Sequence, residues 1–340
     1  MPERRVGITV AGNVLADIVK TIDCYPEIGM LSSITSVSRA VGGCAPNTAI
    51  DLAKIDPALP LSVLGRVGDD EYGQYVVSEM QKHGIDTKGV SISPDAPTSF
   101  SDVMSMPSGE RTFFHARGAN AQFSPAHIDA NALRCRILHI GYILLLDAFD
   151  APDSEYGTVM ARFLHDVQAR GIKTSIDAVS DSTGKFAEKI KPALRYCDYV
   201  IFNEIECCSI WGLAPYGTDG KVDVVTIEKA MRLTLDCGVR EKVIVHCKKA
   251  GFCLSADSSF TVVPSIGIPR SCIKGSVGAG DAFCAGSLYG IYHGFTDKKI
   301  LSFAAAAAAC NLFSENSVDG MRGKDEIWQM IEKYGYEPML

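Results

Sequence analysis

Short apolar runs alternate with amphipathic segments along most of this chain, and the alternation predicts strands and helices in turn. The apolar runs have the length of buried strands, and the segments between them repeat apolar residues at helical spacing. Strands are predicted at 6–10, 61–65, 137–140, 174–177, 199–202 and 243–246, and helices at 44–55, 71–83, 156–170, 184–195, 204–211, 226–237, 282–292, 298–313 and 326–334. This order is typical of an α/β protein whose mostly parallel sheet carries helices on both faces.

Two regions depart from this rhythm and predict a small β appendage. Residues 31–41 alternate loosely between apolar and hydroxyl side chains, and two β-prone arms at 100–106 and 111–115 flank Pro107-Ser108-Gly109-Glu110, which predicts a hairpin. We expect a single domain over residues 1–340, with the appendage at about 18–41 and 97–120.

Composition narrows the class of protein. Of the 340 residues 47% are hydrophobic, which supports a sizeable core, and the net charge of −7 comes without a basic block. We therefore expect no nucleic-acid partner and no membrane partner, and the apolar stretch at 137–146 is too short to span a bilayer. The twelve cysteines lack zinc spacing and no export signal precedes them, so we expect reduced thiols and a cytoplasmic location.

The most informative segment runs from Gly275 to Gly286. Gly278, Ala279 and Gly280 are small residues placed just before an apolar helix, where backbone N–H groups can converge on an anion. Asp281 follows in the first turn, and a carboxylate beside bound phosphate suits a base that accepts a proton from an attacking hydroxyl. The alternative is an ordinary glycine-rich turn before a tightly packed helix, and this short motif does not decide between them.

Polar residues recur at the carboxyl ends of predicted strands. Asp17, Asp177 and Asn203 each follow a strand, as Asp281 follows its loop. Ligands of open parallel sheets bind at this edge, so the four residues could meet in one cleft. For Asp177, capping of the next helix is an equal alternative.

Several motifs, taken in order, resemble the ribokinase-like carbohydrate kinase family. The segment Val41-Gly42-Gly43-Cys44-Ala45-Pro46-Asn47 is similar to its N-terminal signature, and Gly275–Leu288 is similar to its C-terminal one. Asn203-Glu204-Ile205-Glu206 matches the family's Asn-x-x-Glu motif. Weaker similarities lie at 64–73 and at Gly109-Glu110-Arg111-Thr112, so the resemblance covers about residues 6–313.

The resemblance implies roles for these residues. Gly278, Ala279 and Gly280 would form an anion hole for the transferred phosphoryl group, with Asp281 as the base. Asp17, Gly42, Gly43 and Asn47 would bind the sugar. Asn203 and Glu206 would help to hold ATP and Mg²⁺, with Glu206 acting on the metal through water. The appendage would be a lid over the sugar, which in this family often also forms a dimer surface.

Three positions depart from the family pattern. Gly275 stands where the family usually has an aspartate that helps to bind a monovalent cation, so we do not expect potassium activation. The family's nucleotide loop appears as residues 246–251, where only Gly251 is kept and Lys248 could compensate by meeting phosphates. Leu15 replaces the asparagine of ribokinase, which argues against ribose itself.

The sequence therefore predicts an ATP-dependent kinase acting on a hydroxymethyl group of a small sugar or sugar derivative. A nucleoside kinase of the same fold is the first alternative, and a catalytically silent ligand-binding protein is the second. A dinucleotide-dependent oxidoreductase is excluded because no Gly-x-Gly-x-x-Gly turn follows the first strand.

Overall fold

The computed structural model of the chain describes residues 5–106, 110–180, 184 and 186–338. The predicted hairpin turn at Pro107, Ser108 and Gly109 lies outside the described residues. The strands are β1 Ile8–Ala11, β2 Leu15–Ile22, β3 Ile34–Gly42, β4 Leu61–Gly68, β5 Asp86–Ser93, β6 Ser99–Ser105, β7 Arg111–Ala116, β8 Ile137–Ile143, β9 Pro152–Asp153, β10 Gly157–Thr158, β11 Lys173–Ala178, β12 Tyr199–Asn203, β13 Lys242–His246, β14 Ala250–Ser255 and β15 Phe260–Pro264. The helices are α1 Cys44–Ile55, α2 Glu71–Lys82, α3 Val159–Ala169, α4 Phe186–Leu194, α5 Glu204–Ser209, α6 Val224–Asp236, α7 Ala279–Tyr292, α8 Asp297–Asn311 and α9 Lys324–Tyr334.

The main sheet has nine strands in the order β15-β14-β13-β12-β11-β8-β1-β4-β5. Its pairs are parallel from β13 to β5, and only the hairpin strands β14 and β15 run antiparallel to their neighbours. Alternate residues of one strand point to opposite faces of the sheet and pack in different hydrophobic cores. In β12, Tyr199 and Ile201 pack with α1, α7 and α8, whereas Val200 and Phe202 pack with α3, α4 and α6. The predicted α/β fold with helices on both faces is therefore confirmed.

A separate four-stranded sheet, in the order β3-β2-β6-β7, forms the small β lid. Strand β2 pairs antiparallel with β3 and parallel with β6, and β6 pairs antiparallel with β7. Asp17, Ser101 and His115 lie level with one another on adjacent strands, so they share one face of the lid. No helix among the described residues has the length and apolarity needed to cross a membrane.

Some predicted elements were wrong in detail. Strand β5 and the β14–β15 hairpin were not predicted, and α3 begins at Val159 rather than at 156, because the short β9–β10 ribbon and the Thr158 cap precede it. Asp17 lies inside β2 rather than in a loop after the first strand, where pairing with Ala40 and Ser101 fixes its position.

Candidate active site

The N-terminus of α7 has a backbone that only glycine accommodates. Gly278 precedes the helix with a φ of 79°, and a Cβ on it would lie 2.5 Å from the carbonyl oxygen of Ser317. Gly280 is exposed, with the ring of His246 no closer than 3.6 Å to such an added carbon. The Ala279 N–H donates to Ser276 O at 3.3 Å, whereas the N–H groups of Gly278 and Gly280 have no backbone acceptor among the described residues. First-turn N–H groups of this kind are donors for an anion.

Asp281 lies in this first turn and is almost fully buried. The side-chain amide of Asn47, on α1, donates to its Oδ2 at 2.9 Å, and the Tyr142 hydroxyl donates to Oδ1 at 3.2 Å. Burial raises the pKa of Asp281 to about 6, although the hydrogen bond from Asn47 acts in the opposite direction. The carboxyl is therefore ionised at neutral pH but more basic than an ordinary aspartate, which suits a proton acceptor.

Tyr142 was not singled out by the sequence. It follows the regular part of β8 with a φ of 59°, an uncommon conformation for a residue with a side chain. Its N–H donates to Oδ1 of Asp177, whose other oxygen lies 3.3 Å from Nε2 of the fully buried His139. Asp177 thus holds the backbone that places the tyrosine hydroxyl on Asp281.

His139, Asp177 and Cys284 form a buried cluster with the donor atoms of a metal site. Hydrogen-bonding contacts within the protein already account for it. Nδ1 of His139 lies 2.9 Å from the Ser175 hydroxyl, and Nε2 lies 3.4 Å from Sγ of Cys284. We therefore assign the cluster to the support of Tyr142.

Asp281 faces a cavity of about 260 Å³, which we call the inner cavity. Its lining residues come from the ends of β11, β12 and β13 and from the start of α7: Tyr142, Asp177, Ala178, Val179, Ser180, Ile201, Asn203, Glu206, His246, Gly278, Gly280, Asp281 and Cys284. Of the four residues expected to share one cleft, the structure therefore brings Asp177, Asn203 and Asp281 together, whereas Asp17 lines a different cavity.

Asn203 and Glu206 form a capping box at the start of α5. The Asn203 side chain accepts from the Glu206 N–H at 2.8 Å, and Glu206 Oε2 accepts from the Asn203 N–H at 2.9 Å. Glu206 Oε1 accepts from Ser180 at 3.0 Å. Burial raises the pKa of Glu206 to about 8, against the hydrogen bond from Asn203, so a nearby cation would favour the ionised carboxylate.

Lys248 and Gly251, the two residues predicted from the nucleotide loop to contact ATP, do not line the inner cavity, whereas His246 at the start of that loop does. Lys248 is exposed in the turn between β13 and β14. Gly251 is buried in β14, where an added Cβ would lie 3.1 Å from the ring of Phe283. The glycine at this position is explained by packing against α7.

A second cavity, of about 400 Å³, lies between the lid, the loop that precedes α7 and the loop that follows α8. We call it the lid cavity. Its lining residues are Asp17, Val19, Ser38, Arg39, Ala40, Val103, Arg111, Phe113, Lys274, Val277, Phe313, Ser314, Glu315, Asn316, Ser317 and Asp319. Burial, followed by the charge of Asp281, raises the pKa of Asp17 to about 7. The two carboxylates therefore belong to one electrostatic environment, Asp17 on the lid and Asp281 on the body.

Glycines at the start of α1 allow Asp17 to lie close to the body of the protein. A Cβ on Gly42 would lie 2.5 Å from Oδ2 of Asp17, and Gly43 has a φ of 90° with Asn13 O only 2.3 Å from the position of an added Cβ. Asn47 uses its amide nitrogen on Asp281, and its Oδ1 has no partner among the described residues. That oxygen is buried beside the proposed base and keeps an unused acceptor.

Residues 10–322 match the pfkB family of carbohydrate kinases. A 5-dehydro-2-deoxygluconokinase from Geobacillus thermodenitrificans is 24% identical over 311 residues, which cover 89% of this chain and 87% of the relative.

Solved structures share the fold. The ribokinase of Arabidopsis thaliana, solved with ribose and ATP, has a TM-score of 0.79 at 20% identity and covers 96% of this chain and 99% of its own. A nucleoside kinase from Burkholderia thailandensis, solved with inosine, has a TM-score of 0.74 at 17% identity and covers 98% of this chain and 100% of its own. The chain therefore belongs to the pfkB family of carbohydrate kinases.

Proposed function

We propose that this carbohydrate kinase uses ATP to phosphorylate a hydroxymethyl group of a small sugar or sugar derivative, with Asp281 as the base. The observation that carries the proposal is the position of Asp281. It lines the inner cavity, and its charge acts on Asp17 in the lid cavity. The amides of residues 278–280 lie at the same helix end, so phosphate and hydroxyl would meet beside a proton acceptor.

The roles of the residues that would bind the sugar follow from the hydrogen-bond acceptors that they offer. Asp17 and the unpartnered Oδ1 of Asn47 would accept hydrogen bonds from sugar hydroxyls. Gly42 and Gly43 would contact the sugar through their backbone, and side chains there would collide with Asp17 and Asn13. Asp281 would take the proton as the hydroxyl oxygen bonds to the γ-phosphorus and the bond to the β–γ bridging oxygen breaks. The amides of Gly278, Ala279 and Gly280 would stabilise the charge on the transferred group.

Mg²⁺ would neutralise charge on the β- and γ-phosphates of ATP. Asn203 and Glu206 fit this ion because they present oxygen donors to the inner cavity. The capping box and Ser180 already use the oxygens of Glu206, so we propose that the carboxylate acts through water. Lys248 and Gly251 remain candidates for nucleotide contacts only.

Two further properties belong to this proposal. A Cβ at Gly275 would lie 2.8 Å from the carbonyl oxygen of Ser314, so an acidic side chain has no room there without movement, and we propose activity without potassium. All twelve cysteines are free, which supports a reducing compartment such as the cytoplasm.

The test is ADP release from Mg-ATP across pentoses, hexoses, sugar acids, sugar phosphates and nucleosides. Asp281→Asn should lower kcat by about 10²–10⁴-fold, the range for loss of a general base, while binding of the substrate is kept. The exposed Asp257, in the turn between β14 and β15, provides the matched control Asp257→Asn. Nearly normal turnover by Asp281→Asn would remove this residue from the role of base.

A further inference from the structure

We propose that the lid cavity selects substrates that carry an anionic group, a carboxylate or a phosphate, bound by Arg111 and Lys274. The inference rests on the proposed function, because it concerns the sugar that the same site would phosphorylate. Both cations line this cavity, one from the lid and one from the loop that leads to α7.

Arg111 reaches from the lid to the body of the protein. It starts β7, and its guanidinium donates to the carbonyl oxygen of Glu315 at 3.0 Å. Its positive charge also lowers the pKa of Asp17, although burial outweighs this effect. No described carboxylate lies within ion-pair distance of Arg111, so most of its donors are available for a planar anion.

Lys274 lines the cavity from the body of the protein. Its backbone N–H donates to Leu312 O at 2.8 Å, which fixes the residue beside the end of α8. Its side chain is exposed and forms no ion pair with any carboxylate that the structure describes. A ligand in the cavity would therefore have cations on two sides.

The other cations in and around the lid are already used. Lys20 pairs with Asp102 at 2.6 Å, and Arg117 pairs with Asp147 at 2.6 Å. Arg39 also lines the lid cavity, but its guanidinium stacks 4.3 Å from the centre of the Tyr75 ring. Arg111 thus differs from these cations, because its guanidinium contacts a backbone carbonyl oxygen whereas theirs contact a carboxylate or an aromatic ring.

None of the described acidic residues that line the lid cavity serves as a carboxylate partner of Arg111. Asp319 is engaged by Lys54 at 3.9 Å and by Asn316 at 2.7 Å. Glu315 is exposed and meets Arg111 through its carbonyl oxygen. Burial raises the pKa of Asp17 to about 7, so this carboxyl is only partly ionised at neutral pH and opposes an anionic ligand less than an ordinary aspartate.

The register of the lid places the anionic group away from the reacting hydroxyl. Asp17 is level with Ser101 and His115. Arg111 is paired with Ser105 and lies four residues before His115 in β7. The Arg111 side chain therefore approaches from the outer end of the lid. An extended substrate would place its hydroxymethyl end at Asp281 and its anionic end at Arg111.

The test compares substrates that differ in charge: D-gluconate against D-glucitol, and D-fructose 1-phosphate against D-fructose. We expect kcat/KM to be about 10–100-fold higher for the anionic member of the preferred pair, the range for hydrogen bonds to a charged group. Preference within the first pair identifies a carboxylate as the bound group, and preference within the second identifies a phosphate. Equal kcat/KM within both pairs would overturn the proposal.

Arg111→Gln and Lys274→Gln then assign the preference to these side chains. We expect Arg111→Gln to lower kcat/KM for the anionic substrate about 10–100-fold, mainly through KM, and to leave the neutral counterpart within about threefold. Arg240→Gln, at an exposed arginine outside the cavity, is the matched control. An equal loss for charged and neutral substrates would contradict the assignment, and Lys274→Gln repeats the test at an exposed position that does not tie the lid to the body.

Binding separates this proposal from the kinase proposal. Thermal unfolding is measured with millimolar gluconate, glucitol, fructose 1-phosphate or fructose. If no compound releases ADP, the kinase proposal fails for this panel. A rise in Tm with an anionic compound that is absent in Arg111→Gln would still support the subsite, and no rise with either anion would overturn it.

Discussion

At the scale of single residues, the site depends on how a buried carboxylate is kept ionised. Burial alone would hold a proton on Asp281, and two donors from distant parts of the chain oppose this. Asn47 comes from α1 and Tyr142 from the end of β8. The balance leaves a pKa of about 6, so the proposed base is available at neutral pH and is protonated in mild acid.

We predict that Tyr142→Phe moves the acid limb of the kcat–pH profile to higher pH. The tyrosine hydroxyl donates to the ionised carboxylate, so its loss favours the protonated form and raises the pKa of Asp281 above about 6. In the wild type kcat should fall as the pH drops through about 6, and in the variant the fall should begin at higher pH. The measurement is kcat between pH 5 and 8 with saturating substrates.

Tyr292→Phe is the control for the loss of a tyrosine hydroxyl elsewhere in the protein. The Tyr292 hydroxyl accepts a hydrogen bond from the N–H of Gly7, which precedes β1. Asp177→Asn should shift the profile to lower pH, opposite to Tyr142→Phe, because the negative charge of Asp177 raises the pKa of Asp281 and an asparagine oxygen can still accept from the Tyr142 N–H. A uniform loss of kcat with an unchanged profile would show that Tyr142 acts only on packing.

The sequence predicted much of the site at this scale. Asp281, Asn203 and Glu206 were recognised from motifs, and the structure places them around one cavity. Tyr142 could not be found in this way, because its contact with Asp281 joins residues 139 positions apart and depends on a left-handed backbone that Asp177 stabilises. No local pattern of side chains encodes such a contact.

At the scale of elements, the alanine run of α8 has a packing role. Gly286 of α7 faces it so closely that an added Cβ would lie 2.7 Å from Cα of Ala304 and 3.1 Å from Cβ of Ala307. The small side chains let the two helices approach, and α7 begins at the turn that we propose binds an anion. The sequence had already favoured close packing for Ala304–Ala309.

We predict that Gly286→Val lowers the free energy of unfolding by about 1–3 kcal/mol, the usual cost of overpacking a core. The new methyl groups would collide with the backbone of α8 at Ala304. Backbone atoms can relieve this collision only if the two helices move apart. The measurement is denaturant-induced unfolding. Ala308→Val, at a half-buried position of the same run, should cost less than about 1 kcal/mol, the difference in helix propensity. Equal stability of the two variants would contradict the packing role.

The strands of the main sheet that the sequence did not predict lie at its two ends. Strand β5 forms one edge, and its sequence around Asp86, Lys88 and Gly89 lacks the apolar run of a buried strand. The β14–β15 hairpin forms the other edge, where antiparallel pairing replaces the strand–helix alternation. Central strands are predictable because both of their faces are buried, and edge strands are not.

At the scale of the whole molecule, the lid presents an apolar surface that the described body does not cover. Ile28, Met30 and Leu31 in the loop before β3, and Ile34 and Val37 in β3, are each more than half exposed. Strand β3 is also an edge of the lid sheet, so its outer backbone groups are unpaired there. We name residues 28–37 the lid edge and expect it to be covered by a second copy of the chain, because both sheets could then continue across a two-fold axis.

We predict that the protein is a dimer in solution and that Val37→Lys makes it a monomer. Light scattering coupled to size exclusion should give about twice the 36.5 kDa chain mass for the wild type and the chain mass for the variant. A lysine on an edge strand opposes strand pairing through its charge and its hydration, and Val37 already lies opposite Lys20. Val225→Lys, at an exposed valine at the start of α6, should remain a dimer. A monomeric wild type, or a dimer that persists in Val37→Lys, would mean that the lid edge is not the interface; a dimer lost in both variants would indicate a general effect of added charge.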